Sequence, residues 1–418
     1  MSVGKLLAPP SLAGAVLDAP KRRLEGAQRA SDPAELLARL AGPLAKSGVT
    51  RLCNLTGLDR LGIPVAAAIR PNSSWYACDA GKGVTVEAAL VSAAMEAIER
   101  ARLESVRPAG VRASYAALAR DGLVAELSAY PAASAAIFHP EVEAEWHLAP
   151  LLGGGSLALP YEMVGAMAPR AGGDGCLYGF QAGSNGLSAG SVLAEAVLAG
   201  LYEVIERDAL ACWEAAAGAG RRRLALGEVL GDLADPWPGM LVERCHAAGV
   251  VPLVFECTSD VAVPTYACFL AGDGQDGASA HAGYGAHLDP AVALVRAITE
   301  AAQSRAVLFA AARDDQFWSA FRHHRRVTGG QGIAALCSEE ATVHELPDDS
   351  SGASFGADLA RVLLALDGVG CPDVAVVELG GEGEFPAVVR VVVPGLEGYP
   401  HIESYAVGRR AGAAAGRR

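Results

Sequence analysis

The chain has 418 residues, 51% hydrophobic and only 19% charged, enough to bury a large core in one mixed domain or in two to three smaller ones. Its net charge of -13, with basic residues clustered only at Lys21-Arg22-Arg23, Arg221-Arg222-Arg223, His323-His324-Arg325-Arg326 and the terminal Arg417-Arg418, excludes a nucleic-acid backbone as the main ligand, because such contacts need a sustained basic surface. Nine scattered cysteines without a Cys-x-x-Cys pair or a zinc spacing fit a reducing cytoplasm and are expected as small buried residues.

In chain order, residues 1–30 read as a flexible N-terminal arm, broken by Pro9-Pro10 and then by Asp18, which makes a poor secretory signal. A helix is expected to start at Ser31 or Asp32, with Pro33 at its first position, and to run to Leu44. Arg51 to Ile69 reads as strand, turn and strand, and Gly81-Lys82-Gly83 as a tight loop before a helix over about 85–105. Residues 107–160 alternate short helices with Pro- and Gly-rich connections, and Ser184-Asn185-Gly186 is a loop ahead of a helix over about 190–216. Residues 241–270 give helix, strand, turn and strand. Gly283 to Pro290 is then expected as a glycine loop opening a third helix, about 290–312, capped by Asp289. A polar loop or lid follows at 325–355, then a helix near 356–367, strands at 373–378 and 387–393, and a flexible C-terminal tail at 409–418. The fold class is α+β, with residues 31–408 as a single domain of several subdomains around one cleft. No run of ~18 apolar residues is long enough to span a membrane. The chain is expected to be cytoplasmic, and a homodimer is compatible with it.

Acidic residues fall on one face of otherwise apolar helices. With about 100° of rotation per residue, Ser92, Glu96 and Glu99 share a narrow arc, and Glu195, Glu203 and Glu206 lie within roughly 80° of one another, with Ser191 one turn before Glu195. Thr299-Glu300-Ala-Ala-Gln303-Ser-Arg305 and Arg313-Asp314-Asp315 continue the theme. The bland interpretation, solvated faces with Glu–Arg pairs at helix ends, accounts for any one helix but poorly for all of them together. Carboxylates on a core face are costly without a compensating cation, and oxygen-only sets without histidine favour a hard ion such as Mg²⁺. There is no Walker loop, no Glu-x-x-His pair and no convincing Ser/His/Asp or Cys/His set. His287 and His323-His324 read as loop or surface residues.

Thr56-Gly-Leu-Asp-Arg-Leu-Gly-Ile-Pro-Val65, Arg70-Pro-Asn-Ser73, Gly81-Lys-Gly83, Ser92–Arg100, Ser184-Asn-Gly-Leu187, Glu203-Val-Ile-Glu-Arg-Asp208, Gly283–Pro290, Thr299–Arg305 and Val391-Val-Val-Pro-Gly-Leu396 together resemble the YcaO family. The resemblance implies a YcaO-like fold of mixed sheets and long helices around a central ATP cleft. It also implies ATP-dependent O-phosphorylation of a peptide amide, with ATP and Mg²⁺ as cofactors. Carried over by position, Glu96, Glu99, Glu195, Glu203 and Glu206 hold the metal, while Arg29, Lys82, Ser92, Ser188, Ser191, Arg207, Gln303 and Arg305 contact or orient the nucleotide. Ser191 stands where relatives commonly carry Asn, and Leu36 where Ser or Thr is common, which implies a modest ATP affinity or a water in the gap. No protein nucleophile is needed, since the amide oxyanion itself attacks the γ-phosphate.

The pattern from Gly26-Ala-Gln-Arg29 to Thr50-Arg51, and Val391–Leu396, is similar to the TfuA-associated branch of the family. That branch implies thioamide formation on a ribosomally made precursor peptide, with external sulfide and a TfuA-like partner. The alternatives are azoline formation by cyclodehydration at Cys, Ser or Thr, other backbone chemistry such as amidine formation, and a non-catalytic docking subunit. The end of the chain shows no Pro-x-Pro-x-Pro tail of the azoline-forming type, and the 30-residue arm is too short for a fused leader-binding domain.

Overall fold

The computed structural model describes residues 11–12, 15–107, 111–133, 138–165, 179–216, 221–231, 233–272, 280–311, 335–380, 383–402 and 404–416. Arg313-Asp314-Asp315, His323-His324 and the first part of the expected lid, 325–334, lie outside them. The N-terminal arm is not free where it is described. Strands β1 (Arg22–Leu24) and β2 (Ala27–Arg29) form a hairpin turned at Gly26, whose φ of 59° suits glycine. Buried Gln28 ties this hairpin to Asp289 (3.1 Å) and Ser351 (3.0 Å), and Lys21 pairs with the buried Asp358. Asp32 caps helix α1 (Pro33–Arg39) through the amides of Ala34 and Glu35, at 2.8 and 3.3 Å.

Strands β3 (Arg51–Asn54), β4 (Val65–Ile69) and β5 (Cys78–Lys82) form an antiparallel meander, and helix α2 (Val86–Ser105) lies across one face of it. The abundant alanine finds its reason here. Ala66 and Ala68 of β4 meet Ala89, Ala93 and Ala97 of α2, and small side chains let helix and sheet approach closely. A second meander is antiparallel too: β6 (Val111–Ser114), β7 (Glu143–Pro150) and β8 (Ser156–Pro160), where short helices were expected. Its alternating burial, with Ala144 and Trp146 inside and Glu143 outside, is a period-2 signal masked by the neighbouring glycines and prolines.

Strand β9 (Leu187–Gly190) runs into α3 (Leu193–Ala215), a long helix with most of its residues buried. After β10 (Arg223–Leu224) and helix α4 (Trp237–Ala247) come β11 (Val251–Glu256), β12 (Thr265–Ala271) and β13 (Ala280–Ala286), a third antiparallel meander carrying α5 (Pro290–Ala310). Strand β14 (Ala341–Val343), in the segment expected as a loop, adds to this sheet in parallel with β10. Helix α6 (Phe355–Gly368) packs on α3, and β15 (Ala375–Glu378) and β16 (Ala387–Val392) complete a sheet with β9.

The units 51–105 and 251–310 share one design. Each has three antiparallel strands and a helix laid on them. Each has a residue with positive φ two before a proline that enters the middle strand, Gly62 (62°) before Pro64 and Ala262 (59°) before Pro264. Each also has a Gly-x-Gly pair against the helix, in or just after its third strand. A Cβ at Gly81 would sit 2.0 Å from the Ala93 nitrogen, and one at Gly283 would sit 2.1 Å from that of Ala301. Both glycine pairs were expected in loops, but Gly81, Gly283 and Gly285 are strand residues and Gly83 follows its strand directly, and they clear room for a helix backbone.

The C-terminal tail is likewise not loose. Residues Arg409–Gly416 form helix α7 docked on α3, with Arg410 donating to both oxygens of buried Asp208 at 2.7 and 3.0 Å. Glu397 accepts from the amides of Gly408 and Ala411, each at 2.9 Å.

Candidate active site

Helices α2, α3 and α5, together with the β1–β2 hairpin, enclose a cavity of about 1790 Å³. Eleven of the thirteen residues expected at the site line it: Arg29, Lys82, Ser92, Ser188, Arg207, Gln303, Glu96, Glu99, Glu195, Glu203 and Glu206. Leu36 also forms part of its wall, an apolar patch in an otherwise polar neighbourhood.

The carboxylates differ in how they are held. Glu99 of α2 accepts from the Ala189 amide of β9 at 2.5 Å, and Glu206 of α3, 1% exposed, accepts from the Ala286 amide of β13 at 3.1 Å. Backbone donors thus aim both groups. Glu195 reaches back to the amide and hydroxyl of Ser191, both at 2.9 Å, as a glutamate in the first helical turn commonly does. Its other oxygen lies 4.0 Å from Arg29. Glu96 is bound by Arg100 at 3.0 and 2.6 Å. For Glu195 and Glu96, cap and ion pair therefore account for part of their placement.

Electrostatics single out the middle of the cluster. Burial, with Glu96 and Glu203 nearby, drives the Glu99 carboxyl well above its ordinary range. Burial raises Glu203 to about 7 against the pull of Arg207, with Glu206 and Glu96 adding to the rise. Glu300 behaves oppositely. Burial would raise it, but Lys82, which pairs with it, and Arg207 hold it below its ordinary value. The cavity thus carries like charges crowded on one side and cations opposite them.

Two expected residues stand elsewhere. Arg305 is turned about 200° around α5 from Gln303, so it faces the loop at Asp59, which accepts from its Nε at 3.2 and 3.0 Å; it is not a cavity wall. Ser191 lies behind Glu195 and orients it. Ser188 lines the cavity, but its hydroxyl donates to the Ala196 carbonyl at 2.7 Å. Arg296, Glu214, Tyr284, Tyr399 and His401 also line the cavity and were not singled out. Their chain positions are far apart, and the one available signal was Arg296 on the helix face that carries Thr299, Glu300 and Gln303. The motif Arg70–Ser73 proves structural, since Arg70 pairs with Asp79 (3.2 Å) and Glu104 (2.6 Å).

The donor set fits a metal-bound nucleotide. Oxygen donors from α2 and α3 share one cavity, and a cation would relieve the repulsion that raises Glu99 and Glu203. Among the described residues, no three acidic or imidazole groups are already drawn into a coordination shell, so metal binding would need side-chain rotation. Arg207 Nη1 and Arg296 Nε are buried without a hydrogen-bond partner, donors suited to an anion such as phosphate.

A cavity pairing clustered carboxylates with orphaned guanidinium donors defines a site for a polyanion carried with a hard cation. The sequence model of the YcaO family, described as YcaO cyclodehydratase, ATP- and Mg²⁺-binding, matches residues 80–397, and the chain belongs to that family of ATP-dependent peptide-modifying enzymes. Its cofactors are ATP and Mg²⁺. An uncharacterized protein of Methanothermobacter thermautotrophicus is 36% identical over 388 residues, covering 90% of this chain and 97% of its own. A Rhizobium leguminosarum bv. trifolii protein named for the tfuA 3′ region is 33% identical over 390 residues, covering 88% of each chain. Among solved structures, a heterocyclase in complex with substrate and cofactor superposes with a TM-score of 0.74 at 20% identity over 93% of this chain, which spans 54% of the heterocyclase. YcaO from Methanopyrus kandleri bound with AMPPCP and Mg²⁺ superposes with a TM-score of 0.70 at 24% identity, over 94% and 98% of the two chains. The α+β class and the YcaO-like fold hold. No helix among the described residues is long and apolar enough to cross a membrane.

Proposed function

We propose that this chain phosphorylates a peptide amide oxygen with ATP and directs the activated carbon to thioamide formation, using sulfide supplied through a TfuA-like partner. The observation that carries the phosphorylation step is the convergence of Glu99, Glu203 and Glu206 with Arg207 and Arg296 on one cavity. Glu96, Glu99, Glu195, Glu203 and Glu206 would hold Mg²⁺, which neutralises charge on the phosphates when bound. Arg207, Lys82 and Gln303 would position the nucleotide, with Arg29 closing the hairpin side and Ser92 the α2 side. Ser188 and Ser191 would act from behind, through the helix α3 terminus and Glu195. Arg305 would act through the Asp59 loop.

The thioamide outcome is supported by the relative from the tfuA 3′ region. Azoline formation is the second reading, favoured by the cyclodehydratase description of the family. Mass spectrometry of a precursor peptide co-expressed from a neighbouring gene separates them, since exchange of oxygen for sulfur adds about 16 Da and ring closure removes about 18 Da; either figure follows from atoms gained and lost in amide-oxygen phosphorylation and displacement. A loss of the second kind would overturn the thioamide reading, and an unmodified peptide would favour a docking subunit.

A smaller effect is expected at the capping serine. Ser191→Ala removes one hydroxyl donor from Glu195 and should weaken Mg²⁺–AMPPCP binding by about fivefold, the value of about 1 kcal/mol for one such bond. Calorimetric titration reads this directly, and unchanged affinity would remove Glu195 from the metal set.

A further inference from the structure

The cavity wall also has an aromatic part. Trp213, Phe269, Tyr284, Tyr399 and His401 line that part, and Arg207 joins the two regions with its guanidinium 4.1 Å from the Tyr399 ring centre. His401 lies in a defined setting. Its Nε2 is bound to the Glu214 carboxylate, and its ring is 5.2 Å from Tyr399 and 5.5 Å from Tyr284, centre to centre. A carboxylate only accepts, so Nε2 carries the proton and Nδ1 keeps its lone pair. Nδ1 faces the Tyr284 hydroxyl at 3.4 Å, a distance too long for a strong bond.

The other histidine in the cavity wall is differently employed. His287 is 6% exposed, its Nδ1 accepts from the Asp289 amide at 2.9 Å, and its ring packs on Tyr202. That ring holds the start of α5 and has no free nitrogen lone pair at Nδ1.

We propose that His401, oriented by Glu214, is the general base that removes the proton from the heteroatom attacking the peptide amide. This rests on the amide-phosphorylation reading and adds the proton acceptor that reading lacks. As the heteroatom–carbon bond forms, the heteroatom–hydrogen bond breaks toward Nδ1 and the carbonyl π pair moves onto oxygen. That oxyanion takes the γ-phosphoryl group and ADP leaves. Phosphate later departs with the former amide oxygen as a second bond forms to the same carbon. That bond comes from sulfur when hydrosulfide attacked, or from the amide nitrogen, which gives its N–H proton to water, when a thiol or hydroxyl attacked. The imidazolium returns its proton to that phosphate. The step is common to a thiol, a hydroxyl or hydrosulfide as attacker. Glu214 is a positioning residue that fixes the tautomer, in the way a carboxylate orients a catalytic imidazole elsewhere.

Three measurements decide it. Long-range ¹H–¹⁵N spectra of the full chain, with His401 assigned from His401→Asn, should show the neutral ring protonated at Nε2; protonation at Nδ1 overturns the proposal. His401→Asn should bind Mg²⁺–AMPPCP within about twofold of wild type, yet modify the co-expressed precursor peptide at least about a hundredfold more slowly, within the range for loss of general-base catalysis. Wild-type modification should slow toward acid pH, and the residual rate of His401→Asn should not. Glu214→Gln should slow modification and Glu214→Asp recover part of it, which a merely structural role would not produce. Turnover of His401→Asn within threefold of wild type, with normal nucleotide binding, overturns the base assignment alone. Failure of the wild-type chain to bind Mg²⁺–AMPPCP would instead overturn the nucleotide reading.

Discussion

Replacing Glu99 by Gln should raise the melting temperature of the nucleotide-free protein and abolish its binding of Mg²⁺–AMPPCP. The two changes have one cause. Glu99 is buried beside Glu96 and Glu203, and its carboxyl is driven well above the ordinary range because ionising there is costly. A neutral amide of the same shape removes that repulsion, and its carbonyl oxygen can still accept from the Ala189 amide. The same exchange deletes a negative donor that a hard cation requires. Glu206→Gln should weaken binding as strongly without the gain in stability. Its carboxylate lies 3.7 Å from both Arg207 and Arg296, so neutralising it leaves two guanidinium groups less well compensated. Losing outer-shell partners of a metal site costs ten- to a hundredfold, so loss of a ligand should weaken affinity by at least about a hundredfold. Glu96→Gln should act less, because Arg100 already binds that side chain. Calorimetry with AMPPCP and MgCl₂, beside thermal melts without them, gives both readings. Unchanged nucleotide affinity in both Glu99→Gln and Glu206→Gln would refute the metal assignment.

That the carboxylates were legible in sequence, and the aromatic region was not, follows from how each is built. Glu96, Glu99, Glu203 and Glu206 sit on long helices whose apolar period fixes their direction, so spacing alone shows that each set shares a face. Asp32 and Asp289 mark helix starts for the same local reason. His401 and Tyr399 lie in an irregular segment after the last strand, and Glu214 stands at the far end of α3. Only the tertiary fold brings them together, and no period relates them. The glycine pairs at 81–83 and 283–285 were assigned to loops because glycine usually interrupts strands. Here it is the helix above that demands them, a contact invisible along one strand. Helix α7 was missed because its stability is tertiary. Eight residues are too few to hold a helix alone even with four alanines among them, and the anchor is Arg410 on Asp208, two hundred and two positions away. Arg305 was placed by resemblance together with its motif, but at position 305 the helix has turned toward Asp59.

Gly283→Ala should cost about 3 kcal/mol of stability, at the upper end for overpacking by a single methyl group, and should weaken nucleotide binding with it. The new Cβ would stand 2.1 Å from the Ala301 nitrogen, 2.4 Å from the Ala297 oxygen and 2.6 Å from the Glu300 carbonyl carbon. All three are backbone atoms of α5, so no side chain can rotate away and the helix itself must move off the sheet. Glu300 and Gln303 project from that stretch of α5, where Glu300 pairs with Lys82 and Gln303 donates to the Ala80 carbonyl at 3.2 Å. A shift of the helix therefore pulls one wall of the cavity from the other. Gly239→Ala is the matched comparison. It makes the same chemical change within α4, where no outside heavy atom lies within 4 Å of the added carbon. There the lower backbone entropy of the unfolded chain dominates, and alanine should stabilise by about 0.5–1 kcal/mol. Opposite signs in the two melts, with nucleotide affinity changed only at position 283, would show that close packing of helix on strand keeps the cavity wall in place. A Gly283→Ala protein that melts like wild type would mean that α5 can ride over the strand without penalty, and that the site tolerates its displacement.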